Sequence, residues 1–460
     1  MWPRNRSSRV SLGKNAALRG GASQLHRTRK ELLVVKTGTV IEQSPRLEGT
    51  NGLDGCSIIY FGNDWSAENR TSSHHIARRL ANRMPLLYVE VPGLRAPKAS
   101  RRDIGKLYRK LKQGVSAPRE VGRQMWCITV PQLPWRRLAP MRWINLLFGR
   151  YIVRRAIQRL RFRRTISWFV VPHPAALAGC FSEELIVYYC IDDYASLPGV
   201  DRREIARLDE ELTQRANQVF VASSTLLDRK RKLNASVAHS PHGVDVDLFN
   251  QASIADLKVA ENAQRLKHPV IGFFGLIEAW IDLDLIAFLA RSRPHWTFLL
   301  VGHIAVELNG LDKLSNVVFA GPQPYETLPR WAKAFDVAIV PYRLTQQVLC
   351  ANPLKLREYL ATGKPIVAVP TPEIRNFSAH VSIAENHVQF LNSIENALLH
   401  DCAKARDARM AAVAGMSWDI RVKEVLALVG RKLEEALVRN HAVSDAAGGT
   451  LYTKPGRAPK

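Results

Sequence analysis

Lys355 and Glu358 lie three residues apart in the stretch NPLKLREYLATGKPIVAV, residues 352–369. That spacing puts a cation and a carboxylate on one face of a helix. The residues around them punctuate the helix. Asn352 stands where an N-cap belongs, Pro353 suits the first helical position, and Gly363 suits the left-handed residue that ends a helix. Leu356 and Leu360 share a second face that can pack on a sheet, and Pro365 opens an apolar run of strand character. A helix front offers free N–H groups and the positive end of its dipole, which suits a phosphate. Lys355 would add a full charge there, and Glu358 would accept hydrogen bonds from a pair of sugar hydroxyls. A nucleoside diphosphate carries both features. On spacing alone the plainer reading stands first: an i,i+3 ion pair on a solvated helix face.

Positioning such a helix requires strands behind it. Short apolar runs recur along the chain at SIIYF (57–61), LLYVEV (86–91), WCITV (126–130), ISWFVV (166–171), LIVYYC (185–190) and QVFVAS (218–223). A second series follows at PVIGFFG (269–275), TFLLVG (297–302), NVVFAG (316–321), VAIVP (337–341) and PIVAVP (365–370). Helical stretches, notably 141–161 and 201–216, alternate with them, as in βαβ units of parallel sheets. Ser72 or Ser73 is the expected cap of the first helix. The pattern predicts two successive α/β halves joined near 245–268, with a helix at about 418–437 closing the second. Ligands of doubly wound sheets bind beyond the carboxyl ends of the strands.

Composition narrows the partners. The chain has 460 residues and a formal net charge of +25. Residues 93–164 hold 20 Lys and Arg against two acids, and the first 30 residues hold eight and none. Such charge favours an anionic partner: nucleic acid, lipid headgroups or a phosphate-bearing substrate. Segment 141–164 interleaves Trp143, Leu147, Tyr151 and Ile157 with arginines, as in a helix lying on an anionic membrane. The alternative is that its apolar face packs on the sheet and the arginines are solvated. No apolar run is long enough to span a bilayer. The six cysteines are scattered, without metal-ligand spacing, and read as reduced thiols of a cytoplasmic protein. The ends, 1–54 and 438–460, read as disordered tails. Two Asp-x-Asp triplets, at Asp245 and Asp247 and at Asp282 and Asp284, invite a metal reading. The first lies in a turn and the second suits a helix start, so no metal and no cofactor is expected.

The segment REYLATGKPIV (357–367) resembles the donor-binding motif of GT-B glycosyltransferases, in particular the large retaining family of bacterial surface-polysaccharide biosynthesis that includes teichuronic-acid-type enzymes. Further stretches resemble the same family in the same order: ELTQRANQVFVASSTLLDRK with HSPHGVDVDLF, GFFGLIEAWIDLDLIAFLA, NVVFAGPQPYETLPRWAKAFDVAIVPY and MSWDIRVKEVLALV. The likeness spans roughly 55–435. It implies two Rossmann-like doubly wound parallel-sheet domains facing across a cleft: an acceptor domain over 55–250 and a nucleotide-sugar donor domain over 251–437. The implied activity is a hexosyl transfer, metal-independent and retaining, from a nucleotide sugar to a polysaccharide or lipid-linked glycan. It would occur in the cytoplasm or peripherally on the inner face of the membrane. By resemblance Glu358 binds the donor ribose, and Lys355 with the helix front, including Asn352 and Leu354, meets the diphosphate. Gly275 lets the backbone approach it, and Pro324, Tyr325 and Pro341 belong to the nucleotide-base region. Asp192, Asp193 and His74 are the candidate catalytic residues, with His75 and His173 beside them; each also has a plain structural reading as a turn, cap or surface residue. The family often has a glutamate eight residues before Glu358; here that position is Cys350, which alters how the donor sugar is gripped. The rival readings are an epimerase or phosphorylase on the same fold, a catalytically silent relative, and a nucleic-acid-binding protein using the basic 93–164 region.

Overall fold

The computed structural model describes residues 51–66, 71–91, 117–131 and 139–448. The expected tail before Asn51 and much of the basic run after Gly93 lie outside the described residues. Asn51–Leu53 is a 3-10 turn with Leu53 buried, so ordered packing starts a few residues ahead of the expected boundary at 55.

The first lobe holds an eight-stranded sheet in the order β3-β4-β2-β1-β5-β6-β7-β8. Its strands are β1 (Cys56–Gly62), β2 (Leu86–Glu90), β3 (Arg119–Gly122), β4 (Met125–Thr129), β5 (Arg164–Phe169), β6 (Leu185–Cys190), β7 (Gln218–Val221) and β8 (Val237–His239). Every pair is parallel except the β3–β4 hairpin. The central strands are continuous apolar runs because helices cover both faces of the sheet. Alternate residues of β1 divide between the two layers. Ile58 and Tyr60 join one core cluster, and Ile59 and Phe61 join the other. Helix α1 (Ser72–Ala81) covers the first face, while α2 (Ala139–Leu160) and α3 (Arg202–Arg215) cover the second. Thr71, not Ser72 or Ser73, caps α1. A short helix, α4 (Ser224–Lys230), follows β7.

The second lobe is a six-stranded parallel sheet in the order β11-β10-β9-β12-β13-β14. Its strands are β9 (Val270–Phe274), β10 (Thr297–Val301), β11 (Val317–Gly321), β12 (Val337–Val340), β13 (Ile366–Ala368) and β14 (Ser382–Ile383). Helix α5 (Leu283–Ser292) follows β9; α6 (Gln346–Cys350) and α7 (Leu354–Thr362) lie between β12 and β13. The strand order reverses at β9, between β10 and β12, so the crevice for a ligand opens beyond the carboxyl ends of β9 and β12. In the first lobe the corresponding point is at β1, between β2 and β5.

One element departs from the expected organisation. Helix α8 (Trp418–Gly448) follows the second lobe in sequence, yet Trp418, Val422, Val425, Leu426, Val429 and Leu433 are buried in the first lobe's core. The apolar face of α8 covers the sheet face that α1 alone leaves open. The helix also runs past the expected end at 437, into the stretch read as a disordered tail. The chain therefore crosses between lobes twice. The crossings run side by side, with Val244 bridged to Ser417 and the Val244 N–H donating to the Met416 carbonyl at 2.9 Å.

Candidate active site

The front of α7 is built by backbone geometry at the ends of three strands. The helix begins at Leu354 with Pro353 in the cap position, one residue later than expected, and no side chain caps it. Gly363, at φ 73°, ends it as expected. Gly275 after β9 has φ 134° and Gly302 after β10 has φ 151°. A Cβ on Gly302 would stand 1.9 Å from the Gly275 carbonyl oxygen, and one on Gly275 would stand 1.9 Å from Lys355 Cε. Only glycine permits this approach. Lys355 thus lies across an open stretch of backbone, with Nζ 5.6 Å from the centre of the Phe273 ring.

Glu358 does not sit on a solvated face, so the surface ion-pair reading fails: the residue is 3% exposed. Burial pushes its carboxyl up to about 7, against the downward pull of Lys355 and of the neighbouring Tyr325 hydroxyl. The Tyr325 hydroxyl lies buried between Glu358 and Asp245; burial first, then the two carboxylates, push its pKa up. Asp245 in turn pairs with Arg79 and, at 3.4 Å, with His75 Nδ1. Burial alone would raise the Asp245 carboxyl; the bonds from His75 and Arg79 outweigh it and hold the pKa below the ordinary value. The His75 ring stacks on Trp418 at 5.1 Å and faces Tyr325 at 4.9 Å. Glu358 therefore lies at the inner end of a buried polar cluster, with Tyr325, Asp245, His75 and Arg79 beside it, that reaches the first lobe and α8. The sequence offered Asp245 only as half of an Asp-x-Asp triplet, and gave no signal for its pairing with Arg79.

Two of the expected catalytic side chains are occupied by the fold. His74 Nδ1 lies 3.1 Å from the Thr71 N–H and 3.0 Å from Thr71 Oγ1, and Nε2 lies 3.0 Å from the Asp64 carbonyl oxygen. It ties the start of α1 to the loop after β1, and burial lowers its pKa. Asp193 accepts from Ser196 Oγ at 2.9 Å and from Arg229 at 3.0 Å, pinning its turn to α4. Asp192 differs. It follows β6 at the carboxyl end, and one of its oxygens accepts the Asp193 N–H at 2.8 Å. Its side chain also meets Gln347 of α6 in the other lobe, and burial pushes its pKa up to about 7. His173 lies buried beyond β5, at the first lobe's switch point.

Asn352 belongs to the joint between lobes. Its amide donates to the Ala222 carbonyl at 2.7 Å and to Glu373 Oε2 at 2.9 Å, and its oxygen accepts from Arg357. Glu373 Oε1 accepts the Ser224 N–H at 2.8 Å and Ser224 Oγ at 2.9 Å, and Ser223 Oγ donates to the Cys350 carbonyl at 2.6 Å. Cys350 itself is fully buried in the first lobe's core, so the position expected for a glutamate holds α6 against that lobe. Replacing Asn352 with alanine takes a partner from each of two buried charged groups, Arg357 and Glu373. It is expected to cost about 3 kcal/mol of stability, read as a fall in the urea midpoint.

The remaining expected residues frame the crevice. Leu354 packs against the first lobe's core, and the Pro341 carbonyl accepts the Asp282 N–H at 2.8 Å beyond β12. Pro324 is exposed and opens the turn that carries Tyr325. Asp282 caps α5 and Asp284 pairs with Arg343 at 3.0 Å. Among the described residues no three or more His, Cys, Asp or Glu are grouped to hold a metal ion.

Comparison with known proteins places this arrangement. Residues 265–400, which carry Gly275, Tyr325, Lys355 and Glu358, match the model of the glycosyl transferases group 1 family. The whole described architecture is similar to sucrose-phosphate synthase from Thermosynechococcus elongatus, with a TM-score of 0.60 over 84% of this chain and 99% of that one at 14% identity. It is also similar to Anabaena HepE solved with UDP and glucose, with a TM-score of 0.55 over 80% of this chain and 98% of that one at 16% identity. The chain has the GT-B fold and carries a glycosyltransferase group 1 domain. A GT-B sheet pair explains why both sets of carboxyl ends meet at Asn352 and Asp192. In sequence the chain is 29% identical over 226 residues to TuaH of Bacillus subtilis strain 168, a protein named as a teichuronic acid biosynthesis glycosyltransferase. That match covers 45% of this chain, and the chain spans only 56% of the relative's length.

Proposed function

We propose that this GT-B protein transfers a sugar from a nucleotide-sugar donor to a surface glycan or a lipid-linked glycan intermediate. One observation carries the reading: Lys355, at the front of α7, lies over the glycine-opened end of β9, with buried Glu358 one turn further on. The diphosphate would rest against Lys355 and the first N–H groups of α7, where charge develops as it leaves. Glu358 would accept the ribose hydroxyls, with Tyr325 orienting it. The acceptor hydroxyl would approach from the first lobe. Its oxygen bonds to the anomeric carbon, the carbon–oxygen bond to the diphosphate breaks, and the nucleoside diphosphate takes the electron pair. Asp192, poised near 7, would take the hydroxyl proton. The work asked of these groups is charge stabilisation and positioning, which needs no metal. The UDP and glucose of the HepE structure support a uridine nucleotide as the first donor to try. The reading predicts that one of UDP, GDP or dTDP, at about a hundred times its Kd, raises the unfolding free energy by about 2.7 kcal/mol. Thermal melts that none of the three shifts would overturn it.

A further inference from the structure

Helix α2 carries an outer face that stands exposed among the described residues. Its buried residues are Gly149, Ile152, Val153 and Ala156, none of them in the first ten residues of the helix. At about 1.5 Å per residue its 22 residues span roughly 33 Å. The six residues of β5, at about 3.3 Å each, span only roughly 20 Å. The helix follows β4 and leads back into β5, so it starts at the carboxyl ends of the strands. The excess length therefore overhangs on the cleft side. On that overhang Trp143 is 64% exposed and Ile144 and Leu147 41% each; Tyr151, further along the helix, is 56% exposed. Trp143, Leu147 and Tyr151 recur every four residues and form one stripe. The same helix holds Arg142, Arg150, Arg154, Arg155 and Arg159 and no acid. Arg155 donates to the Tyr151 hydroxyl at 2.9 Å, so the charge edges the apolar stripe directly.

We propose that this overhang docks the protein on an anionic lipid bilayer. Trp143, Ile144 and Leu147 seat at the boundary between headgroups and acyl chains, and the arginines meet lipid phosphates. Charge selects the occupant. A second copy would oppose arginines to arginines, whereas an acidic headgroup layer neutralises them. The inference rests on the reading of a lipid-linked acceptor: docking here holds the acceptor wall of the cleft against the surface from which that lipid projects.

The test is flotation of the full chain with vesicles of phosphatidylcholine alone and of phosphatidylcholine with phosphatidylglycerol. The unmodified chain is expected on the anionic vesicles, and W143E/L147E is expected to lower its partition by about tenfold or more. Both positions are exposed, so an unchanged melting temperature certifies the variant. Equal partition of variant and parent, no partition of the parent, or equal recovery on both vesicle types overturns the proposal. So does a dimer that W143E/L147E dissolves, or capture of duplex DNA in place of vesicles. Melting of the same samples with UDP, GDP and dTDP separates the two claims. Nucleotide stabilisation without vesicle binding removes the docking surface alone, and vesicle binding without nucleotide stabilisation removes the transfer reading alone.

Discussion

Lys355→Ala is expected to weaken nucleoside-diphosphate binding about 10- to 100-fold, the equivalent of roughly 1.5–3 kcal/mol for a hydrogen bond to a charged group. The fold should not notice. Lys355 is half-buried, its stem lies on backbone and a phenyl ring, and no acid pairs with it among the described ion pairs. Titration calorimetry with UDP and UMP separates causes, because the loss should fall on the second phosphate and leave UMP affinity much closer to the parent value. Gly275→Ala reaches the same atom from below. The new methyl would displace Lys355 and strain a backbone at φ 134°, so it should weaken binding and lower stability together. Full UDP affinity in a folded Lys355→Ala protein would remove the phosphate site from the front of α7.

Glu358→Gln is expected to stabilise the protein above neutral pH while weakening its ligand. The carboxyl titrates near 7 in the fold against 4.5 for an ordinary glutamate, so the folded state holds its proton more tightly than the unfolded chain does. Stability contributed by that proton is complete below the ordinary pKa, declines as pH rises from there through about 7, and is gone above it. At pH 8 the buried carboxylate costs roughly 3 kcal/mol, which the neutral glutamine amide avoids. Near pH 5 parent and variant should differ far less. Asp192 titrates in the same range, but it is common to both proteins and cancels in the difference. Binding should move oppositely. Ionised Glu358 is the stronger acceptor for ribose hydroxyls, so parental affinity for UDP should climb between pH 6 and 8. The variant should show a flat profile about tenfold lower at the top. Urea midpoints and UDP affinities across that range measure both. Equal stability at every pH would mean the carboxylate is not desolvated, and a pH-independent parental affinity would mean it does not touch the ligand.

Much of the fold was legible because its strands are short apolar runs ended by Gly or Pro. LIVYYC is β6 residue for residue, and the other expected strands overlap the observed ones within a few residues. The polar hairpin strand β3 and the very short β8 and β14 carry too few apolar residues to announce themselves. The candidate site was legible where glycine and helix punctuation carry it, at Gly275 and Lys355. It was illegible where pairing is long-range. Adjacent histidines look alike in sequence, yet His74 folds back on its own loop while His75 reaches Asp245 and Trp418. Asn352 read as a cap because Asn before Pro so often is one; the hydrogen bond to Ala222, 130 positions away, outcompeted that local use. The amphipathic pattern of α8 was visible, but nothing in its period says which sheet its apolar side will choose.

That choice has a mechanical corollary. Two neighbouring stretches of backbone, clasped where Val244 meets Ser417, pin the halves to each other by two covalent crossings at one place. A Cβ at Gly243 would strike the Trp418 backbone at 2.7 Å, so the pin has almost no play. The final helix thereby anchors the first half of the protein, and a chain cut before Trp418 would lose the roof of its opening domain and not merely a trailing end.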